Sequence, residues 1–107
     1  MPDIRALTEG YVAAFDSRDT DAVAGYFAPN FALTDPEVTN LTPKSAARDY
    51  VGGLFAANET LSFVAHRIVV EGSTSVIHFQ LTLGTTVLDG VDLITWQGEQ
   101  MSTMHAY

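Results

Sequence analysis

The second half of the chain changes its hydrophobic period, and this change restricts the folds open to it. From residue 61 onward, four strand-like segments are separated by glycine: LSFVAHRIVVEG, TSVIHFQLTLG, TTVLDGVDLITWQG and EQMSTMHAY. Long strands with short connections predict an antiparallel meander. Both faces of these segments carry apolar side chains, so we expect helices on one face and a second copy of the chain on the other. The pattern therefore predicts a homodimer formed through the outer sheet face.

The first thirty residues predict a helical hairpin. Apolar residues recur between Asp3 and Ser17 at the spacing of one helical face, and Asp3 can cap that helix. The apolar stripe contains one hydroxyl, that of Tyr11, which needs a partner if the stripe is buried. After the polar break SRDTD, a short second helix is expected to include Phe27 and to stop at Pro29-Asn30.

The segment that follows the hairpin predicts one strand and one helix. FALTDP is expected to be a short strand in which Asp35 lies on the same face as Phe31. Thr42 is expected to cap the third helix, and Gly52-Gly53 predicts a bend or a close approach within it. The order helix, helix, strand, helix and four strands is an α+β arrangement in a single domain, residues 1–107.

Charge and composition exclude several classes of partner. Thirteen acidic residues against five basic ones give a formal net charge of −8, which disfavours nucleic acids and anionic membranes. The chain has no cysteine, so disulfides and zinc–cysteine sites are excluded. No apolar run approaches the roughly 20 residues that span a bilayer, and MPDIRALTEG does not resemble a signal peptide. We therefore expect a cytoplasmic protein that binds neither nucleic acid nor membrane.

One carboxylate lies in a strand that has no plainly polar face. In LDGVDLITW, Asp92 shares its face with Gly90, Ile94 and Trp96. A charge among such neighbours is costly unless it is paired, hydrogen-bonded or protonated. A buried hydrogen bond or an ion pair with Arg67 across the sheet would give Asp92 a structural role. Protonation would instead make it a hydrogen-bond donor.

Three polar residues lie in stripes that otherwise face inward, namely Tyr11, Asp35 and Asp92. If the sheet curves around the first helix, all three converge on one apolar pocket. We expect this pocket to be lined by Phe15, Phe27, Phe31, Leu54, Phe55, Ile94 and Trp96. Two carboxyl groups in different surroundings separate into a base and an acid, so the pocket is a candidate site for acid–base chemistry on an apolar small molecule.

Several short segments together resemble a known family. YVAAF, FAPNFALTDP, GVDLITW and STMHAY are similar to SnoaL-like members of the NTF2-like superfamily, and among these to the ketosteroid isomerases. The resemblance covers nearly the whole chain. It implies a cystatin-like conical roll, in which a strongly curved, mainly antiparallel sheet wraps around a long N-terminal helix and two shorter helices. It also implies a pocket at the open end, which Met104 faces, and a dimer through the outer sheet face.

The resemblance also implies a division of roles. Tyr11 matches the tyrosine that donates to the oxyanion, Asp35 matches the base, and Asp92 matches the aspartic acid that an apolar site keeps protonated. Such a site performs isomerisation or related enolate chemistry on an apolar carbonyl compound without a cofactor. Further tyrosines that support the oxyanion tyrosine in some isomerases are replaced here by Phe27 and Val51. The alternative is a non-catalytic module of the same fold that binds a hydrophobic ligand or only dimerises.

The candidate residues also have structural interpretations. The Tyr11 hydroxyl could meet a backbone carbonyl, and Asp35 could be a turn residue that accepts local backbone N–H groups. His66, His78 and His105 lie on three neighbouring strands, but no HxH or HxxxH pair occurs. We therefore predict no metal site, and we expect His105 on the surface or the dimer face.

Overall fold

The computed structural model describes residues 2–107, and Met1, the first residue of the predicted domain, lies outside the described residues. The helices are α1 (Ile4–Asp16), α2 (Thr20–Gly25) and α3 (Lys44–Ala57). The strands are β1 (Phe27–Thr34), β2 (Leu61–Glu71), β3 (Thr74–Leu83), β4 (Thr86–Gln97) and β5 (Gln100–Ala106). The predicted α+β order is confirmed. No helix among residues 2–107 has the length and apolarity that crossing a membrane requires.

The five strands form one curved sheet in the order β1-β5-β4-β3-β2. Strands β2 to β5 make the predicted antiparallel meander, whereas β1 pairs in parallel with β5 at the edge. The pairing of β2 with β3 shifts register between Ala65 and Arg67, and that of β4 with β5 shifts between Thr95 and Trp96. Such bulges increase the local twist, which helps the sheet to curve around the helices.

Helix α1 packs on the inner face of the sheet through an aromatic core. Asp3 caps the helix as predicted, since its Oδ1 accepts the backbone N–H of Ala6 at 3.0 Å. Thr8 is fully buried and hydrogen-bonds Ser75 on β3 at 2.9 Å, and Ser75 also accepts the indole N–H of Trp96 at 2.9 Å. These bonds satisfy the polar groups that the core encloses and fix the position of α1 on the sheet.

Three local predictions about the helices are wrong. Helix α2 ends at Gly25, and Phe27 begins β1, where it is buried in the sheet. Pro43, with an extended backbone, stands at the N-cap of α3 in place of Thr42, and no side chain caps the helix. Helix α3 continues through Gly52-Gly53, and the expected close approach is absent there. A Cβ atom added to Gly52 would lie no nearer than 3.5 Å to a neighbouring atom, an ordinary contact, and one added to Gly53 would meet nothing within 4 Å.

Strand β4 shows the alternation that its sequence predicted. Asp92, Ile94 and Trp96 are buried, whereas Leu93 and Thr95 are exposed on the opposite face. The inner face of β4 therefore directs a carboxyl group into the interior of the roll.

Candidate active site

A cavity of about 120 Å³ lies between α1, α3 and the inner face of the sheet, and we call it the inner chamber. Its lining residues are Tyr11, Phe15, Phe27, Leu33, Asp35, Tyr50, Val51, Leu54, Phe63, Phe79, Leu81, Asp92, Met104 and Ala106. Ten of these fourteen side chains are apolar. Tyr11, Asp35, Tyr50 and Asp92 supply the polar side chains, so the three predicted site residues do meet in one space.

A larger and more open space of about 410 Å³ adjoins the chamber, and we call it the outer cleft. Its walls include Leu83, Leu88, Asp89 and Tyr107. Six residues line both spaces and form the neck between them: Asp35, Tyr50, Leu54, Phe79, Leu81 and Ala106. The neck is apolar except for Asp35 and Tyr50.

The neck and the outer cleft depend on a glycine in β4. A Cβ atom added to Gly90 would lie 2.6 Å from Phe79 Cζ and 2.6 Å from the Tyr107 carbonyl oxygen. Both distances are shorter than a side chain tolerates, so only glycine lets the Phe79 ring and the end of the chain approach β4 this closely.

Four of the predicted lining residues, Phe15, Phe27, Leu54 and Met104, line the chamber, and four others do not. The prediction was wrong for four residues, which are buried in the core and do not line the chamber: Phe31, Phe55, Ile94 and Trp96. Phe31 stacks on Phe27 with ring centroids 4.1 Å apart, and Phe55 packs edge-on against Phe15 at 4.9 Å. The chamber reaches along β4 only as far as Asp92, so Ile94 and Trp96 fill the closed part of the roll beyond it.

Asp92 is 4% exposed and lines the chamber. Among residues 2–107, none donates a hydrogen bond to its carboxyl group, and Arg67 lies exposed on the other side of the sheet. The expected alternative of an ion pair with Arg67 is therefore wrong. Burial, with a smaller contribution from the charge of Asp35, raises the pKa of Asp92 from 3.8 to about 7.

Tyr11 projects from α1 into the chamber and is 3% exposed. Its hydroxyl donates to the thioether sulfur of Met104 at 3.9 Å, and a thioether is a weak acceptor. Burial first, and the nearby Asp92 second, raise the pKa of Tyr11 well above its ordinary value. The hydroxyl therefore keeps its proton and remains able to donate to a better acceptor.

Asp35 follows β1 at the neck and accepts three hydrogen bonds. Its Oδ1 accepts the backbone N–H groups of Glu37 and Val38 at 2.8 and 2.9 Å, as the turn interpretation expects. Its Oδ2 accepts the hydroxyl of Tyr50 at 2.8 Å. Burial and this bond raise the pKa of Tyr50 above its ordinary value. The donors stabilise a charged carboxylate, in contrast to the surroundings of Asp92.

Sequence reasoning missed six lining residues: Leu33, Tyr50, Val51, Phe63, Phe79 and Leu81. Several carried a usable signal, because Phe79 and Leu81 alternate on one face of β3 and Phe79 pairs across the sheet with Gly90. Tyr50 is the most important omission. Nothing in the local sequence pattern indicated that its hydroxyl would reach Asp35.

The three histidines lie outside the chamber and the cleft. His66 is 3.9 Å from Asp89, and its ring centroid is 5.3 Å from that of His78 on the exposed surface of the sheet. His105 is exposed and stacks on Tyr107. Across the described part of the chain, no three histidine or carboxylate side chains converge as a metal site requires.

Comparison with known proteins agrees with this architecture. The chain shares 13% identity and a TM-score of 0.86 with an NTF2-like protein of unknown function from Cytophaga hutchinsonii, over 100% of this chain and 90% of that one. An uncharacterized cystatin fold protein from Novosphingobium aromaticivorans gives 15% identity and a TM-score of 0.89, over 100% and 98%. At these identities the likeness shows the fold alone, which confirms the predicted NTF2-like roll.

A third solved structure carries the ketosteroid isomerase-like fold. This hypothetical protein from Catenulispora acidiphila, in complex with trimethylamine, gives 15% identity and a TM-score of 0.82, over 100% of this chain and 85% of that one. Comparison with curated proteins gave no match. The model of the SnoaL-like domain family, however, matches residues 8–104. Because this match covers most of the sequence, the chain belongs to the SnoaL-like domain family.

Proposed function

We propose that the protein performs acid–base chemistry on an apolar carbonyl compound held in the chamber. The observation that carries the proposal is the presence of two carboxyl groups in one apolar cavity with opposite surroundings. Asp35 accepts three hydrogen bonds at the neck, whereas Asp92 is buried without a donor and has its pKa raised to about 7. In a pair of this kind, one carboxyl group is ionised at neutral pH and can act as a base, while the other holds its proton and can act as an acid.

The proposed step is removal of a proton from the carbon next to the carbonyl group. The Asp35 carboxylate takes this proton, the C–H electron pair forms the enolate double bond, and the carbonyl oxygen acquires the negative charge. Tyr11 and protonated Asp92 donate hydrogen bonds to that oxygen. Return of the proton from Asp35 to another carbon of the conjugated system gives the isomer, so no cofactor enters the balance.

The donors in the chamber are well suited to a developing negative charge. Tyr11 loses only a weak bond to the Met104 sulfur when it turns to an oxyanion. No residue among 2–107 donates a hydrogen bond to the Asp92 carboxyl group, so Asp92 gives up no such contact when it donates to the oxyanion. Little competes with the oxyanion for either donor, and the apolar walls strengthen both hydrogen bonds.

The volumes indicate how a substrate is divided between the two spaces. An apolar cavity of about 150 Å³ holds one benzene molecule, so the chamber, at about 120 Å³, accommodates the carbonyl end of a ligand and little more. The rest extends through the neck into the outer cleft, against Leu83 and Leu88. Asp35, Glu37 and Asp89 border that cleft, which disfavours substrates that carry a carboxylate or phosphate there.

Hydrogen–deuterium exchange into simple ketones tests this function, whatever the natural substrate is. A panel of apolar ketones, saturated and β,γ-unsaturated, is incubated with the protein in D₂O, and exchange next to the carbonyl is followed by proton NMR. We expect catalysed exchange for at least one ketone and its loss in Asp35→Asn. Asp49→Asn, which alters an exposed carboxylate on α3, is the matched control. Absence of catalysed exchange across the panel would contradict the proposal.

The non-catalytic alternative is favoured by one specific observation. The contacts of Asp35 with Glu37 and Val38 are those of a turn residue and need no chemistry to explain them. If the protein only binds, a ketone from the panel should perturb the NMR signals of the chamber residues while no exchange is catalysed. That result would assign the site to hydrophobic ligand binding.

We further propose that two copies associate through the outer sheet face. Val64, Val69 and Leu93 are 48%, 44% and 39% exposed there, and the strand register joins Val69 to Leu93 through Val76. A continuous apolar row of this kind fits a self-complementary twofold contact. Light scattering at micromolar concentration should give twice the chain mass, and Leu93→Glu should give a monomer. A monomeric mass for the unmodified protein would contradict dimerisation.

A further inference from the structure

The neck between the chamber and the cleft contains one polar pair, Asp35 and Tyr50, among four apolar side chains. A ligand that occupies both spaces passes beside this pair. We propose that Tyr50 is a positioning residue, whose hydroxyl holds the Asp35 carboxylate in the orientation that proton abstraction requires. The role of Asp35 as base rests on the proposed function, whereas the orienting effect of Tyr50 can be measured without it.

The hydrogen bonds of Asp35 leave its carboxylate little rotational freedom. Oδ1 is held by the backbone N–H groups of Glu37 and Val38, at 2.8 and 2.9 Å, and Oδ2 by Tyr50 at 2.8 Å. Rotation about the Cβ–Cγ bond would break all three bonds together. A carboxylate oxygen can accept two hydrogen bonds, so Oδ2 keeps one position for a proton while Tyr50 occupies the other.

Tyr50 is itself held by a regular element. It lies in α3, one turn before Leu54, and residues four apart share a helical face. Both side chains line the neck, where Tyr50 is half-buried. The helix therefore fixes the direction from which the hydroxyl approaches Asp35, whereas the turn after β1 fixes only the other oxygen.

This arrangement predicts a more mobile Asp35 carboxylate when the hydroxyl is removed. Without Tyr50, only the two backbone N–H groups on Oδ1 still hold the carboxylate. A carboxylate that turns freely loses alignment with the substrate, which slows proton abstraction but leaves substrate binding little changed. A purely structural role for Tyr50 would not lower kcat while KM stays the same.

The test compares Tyr50→Phe with Tyr26→Phe. Each variant loses one hydroxyl, but Tyr26 lines neither space, and its ring packs edge-on against Tyr11 and Trp96. Carbon-13 NMR relaxation of labelled aspartate measures the mobility of the Asp35 carboxyl group, whose signal is assigned with Asp35→Asn. Circular dichroism verifies that both variants remain folded.

We expect the Asp35 carboxyl group to become more mobile in Tyr50→Phe and to keep the unmodified protein's mobility in Tyr26→Phe. Unchanged mobility in Tyr50→Phe would overturn the proposal. With an exchangeable ketone, Tyr50→Phe should lower kcat about tenfold with KM little changed, as expected for loss of a hydrogen bond to a charged group. If no ketone exchanges but the mobility rises, the orienting contact is supported and the proposed reaction fails separately.

Discussion

Two carboxyl groups enter the same chamber from regions with opposite properties. Asp92 projects from the middle of a sheet, where apolar neighbours surround it and no residue of the described chain donates to it. Asp35 lies in a turn, where two backbone N–H groups and one tyrosine hydroxyl converge on its oxygens. The difference shows that the backbone around a carboxyl group decides its chemistry: a strand interior supplies no free N–H donors, whereas a turn does.

The largest expected effect concerns the pH dependence of stability. Because the pKa of Asp92 is raised from 3.8 to about 7 in the folded protein, the folded state holds this proton more tightly than the unfolded chain does. The stabilisation that protonated Asp92 gives to the folded state is therefore fully present below about pH 4 and is lost as the pH rises to about 7. The loss is on the order of 4 kcal/mol in the free energy of unfolding.

Asp92→Asn isolates this contribution, because asparagine is similar in size and does not titrate. Urea unfolding between pH 4 and pH 8 should show a markedly smaller decline in the free energy of unfolding for Asp92→Asn than for the unmodified protein. Asp49→Asn, the surface control, should retain the full decline. Parallel curves for Asp92→Asn and the unmodified protein would show that Asp92 titrates normally.

The second prediction concerns Asp35. Asp35→Asn should lower kcat for ketone exchange by a factor of about 100 or more, the range of general base catalysis, because an amide cannot accept the proton. Asparagine retains one side-chain oxygen to accept backbone N–H groups, so the turn should remain intact. Ligand affinity, measured by NMR titration, should change by no more than a few fold. Equal exchange rates in this variant and the Asp49→Asn control would remove Asp35 from the mechanism.

The third prediction concerns Gly90→Ala, which changes the wall of the neck and the outer cleft. The added Cβ would lie 2.6 Å from both Phe79 Cζ and the Tyr107 carbonyl oxygen, so both contacts have to be relieved by a shift of the ring, the backbone or β4. We expect destabilisation of about 1–3 kcal/mol by urea unfolding, together with weaker ligand binding as Phe79 shifts in the neck. Gly53→Ala, where an added Cβ meets nothing within 4 Å, is the control and should not destabilise. Equal stability of the two variants would contradict the close approach at Gly90.

The smallest effect is expected for Tyr11. Tyr11→Phe removes one of the two oxyanion donors and should lower kcat about tenfold, while Asp92 still donates. The stability cost should be small, since the lost hydrogen bond is to a thioether sulfur. Turnover and urea unfolding measured on the same preparation separate these effects. Full activity in Tyr11→Phe would show that Asp92 alone serves the oxyanion.

The sequence was most informative where a pattern repeats over many residues. Strand alternation in β4 placed Asp92 on the inner face, and the glycine-separated segments predicted the meander. Patterns of this kind specify a face but not how far a cavity extends along it. For that reason Ile94 and Trp96 were assigned to the pocket although they lie in the closed core.

Contacts between elements that are distant in sequence could not be predicted from such patterns. Tyr50 is fifteen residues from Asp35, and their hydrogen bond depends on where α3 packs relative to β1. The prediction that placed Phe27 in the second helix was wrong for a related reason, because an aromatic residue suits a buried helix and a buried strand equally well. Its place in β1 is decided by pairing with Met101 on β5, a contact between residues 74 positions apart in sequence.

Titration of Asp92 itself tests the division of the two carboxyl groups into base and acid most directly. Carbon-13 NMR of labelled aspartate, with the signal assigned by Asp92→Asn, reports the protonation of this carboxyl group without a substrate. We predict a midpoint near pH 7 and a protonated, hydrogen-bond-donating Asp92 below it. A midpoint near 4, the ordinary value for aspartate, would contradict the division of the two carboxyl groups into base and acid.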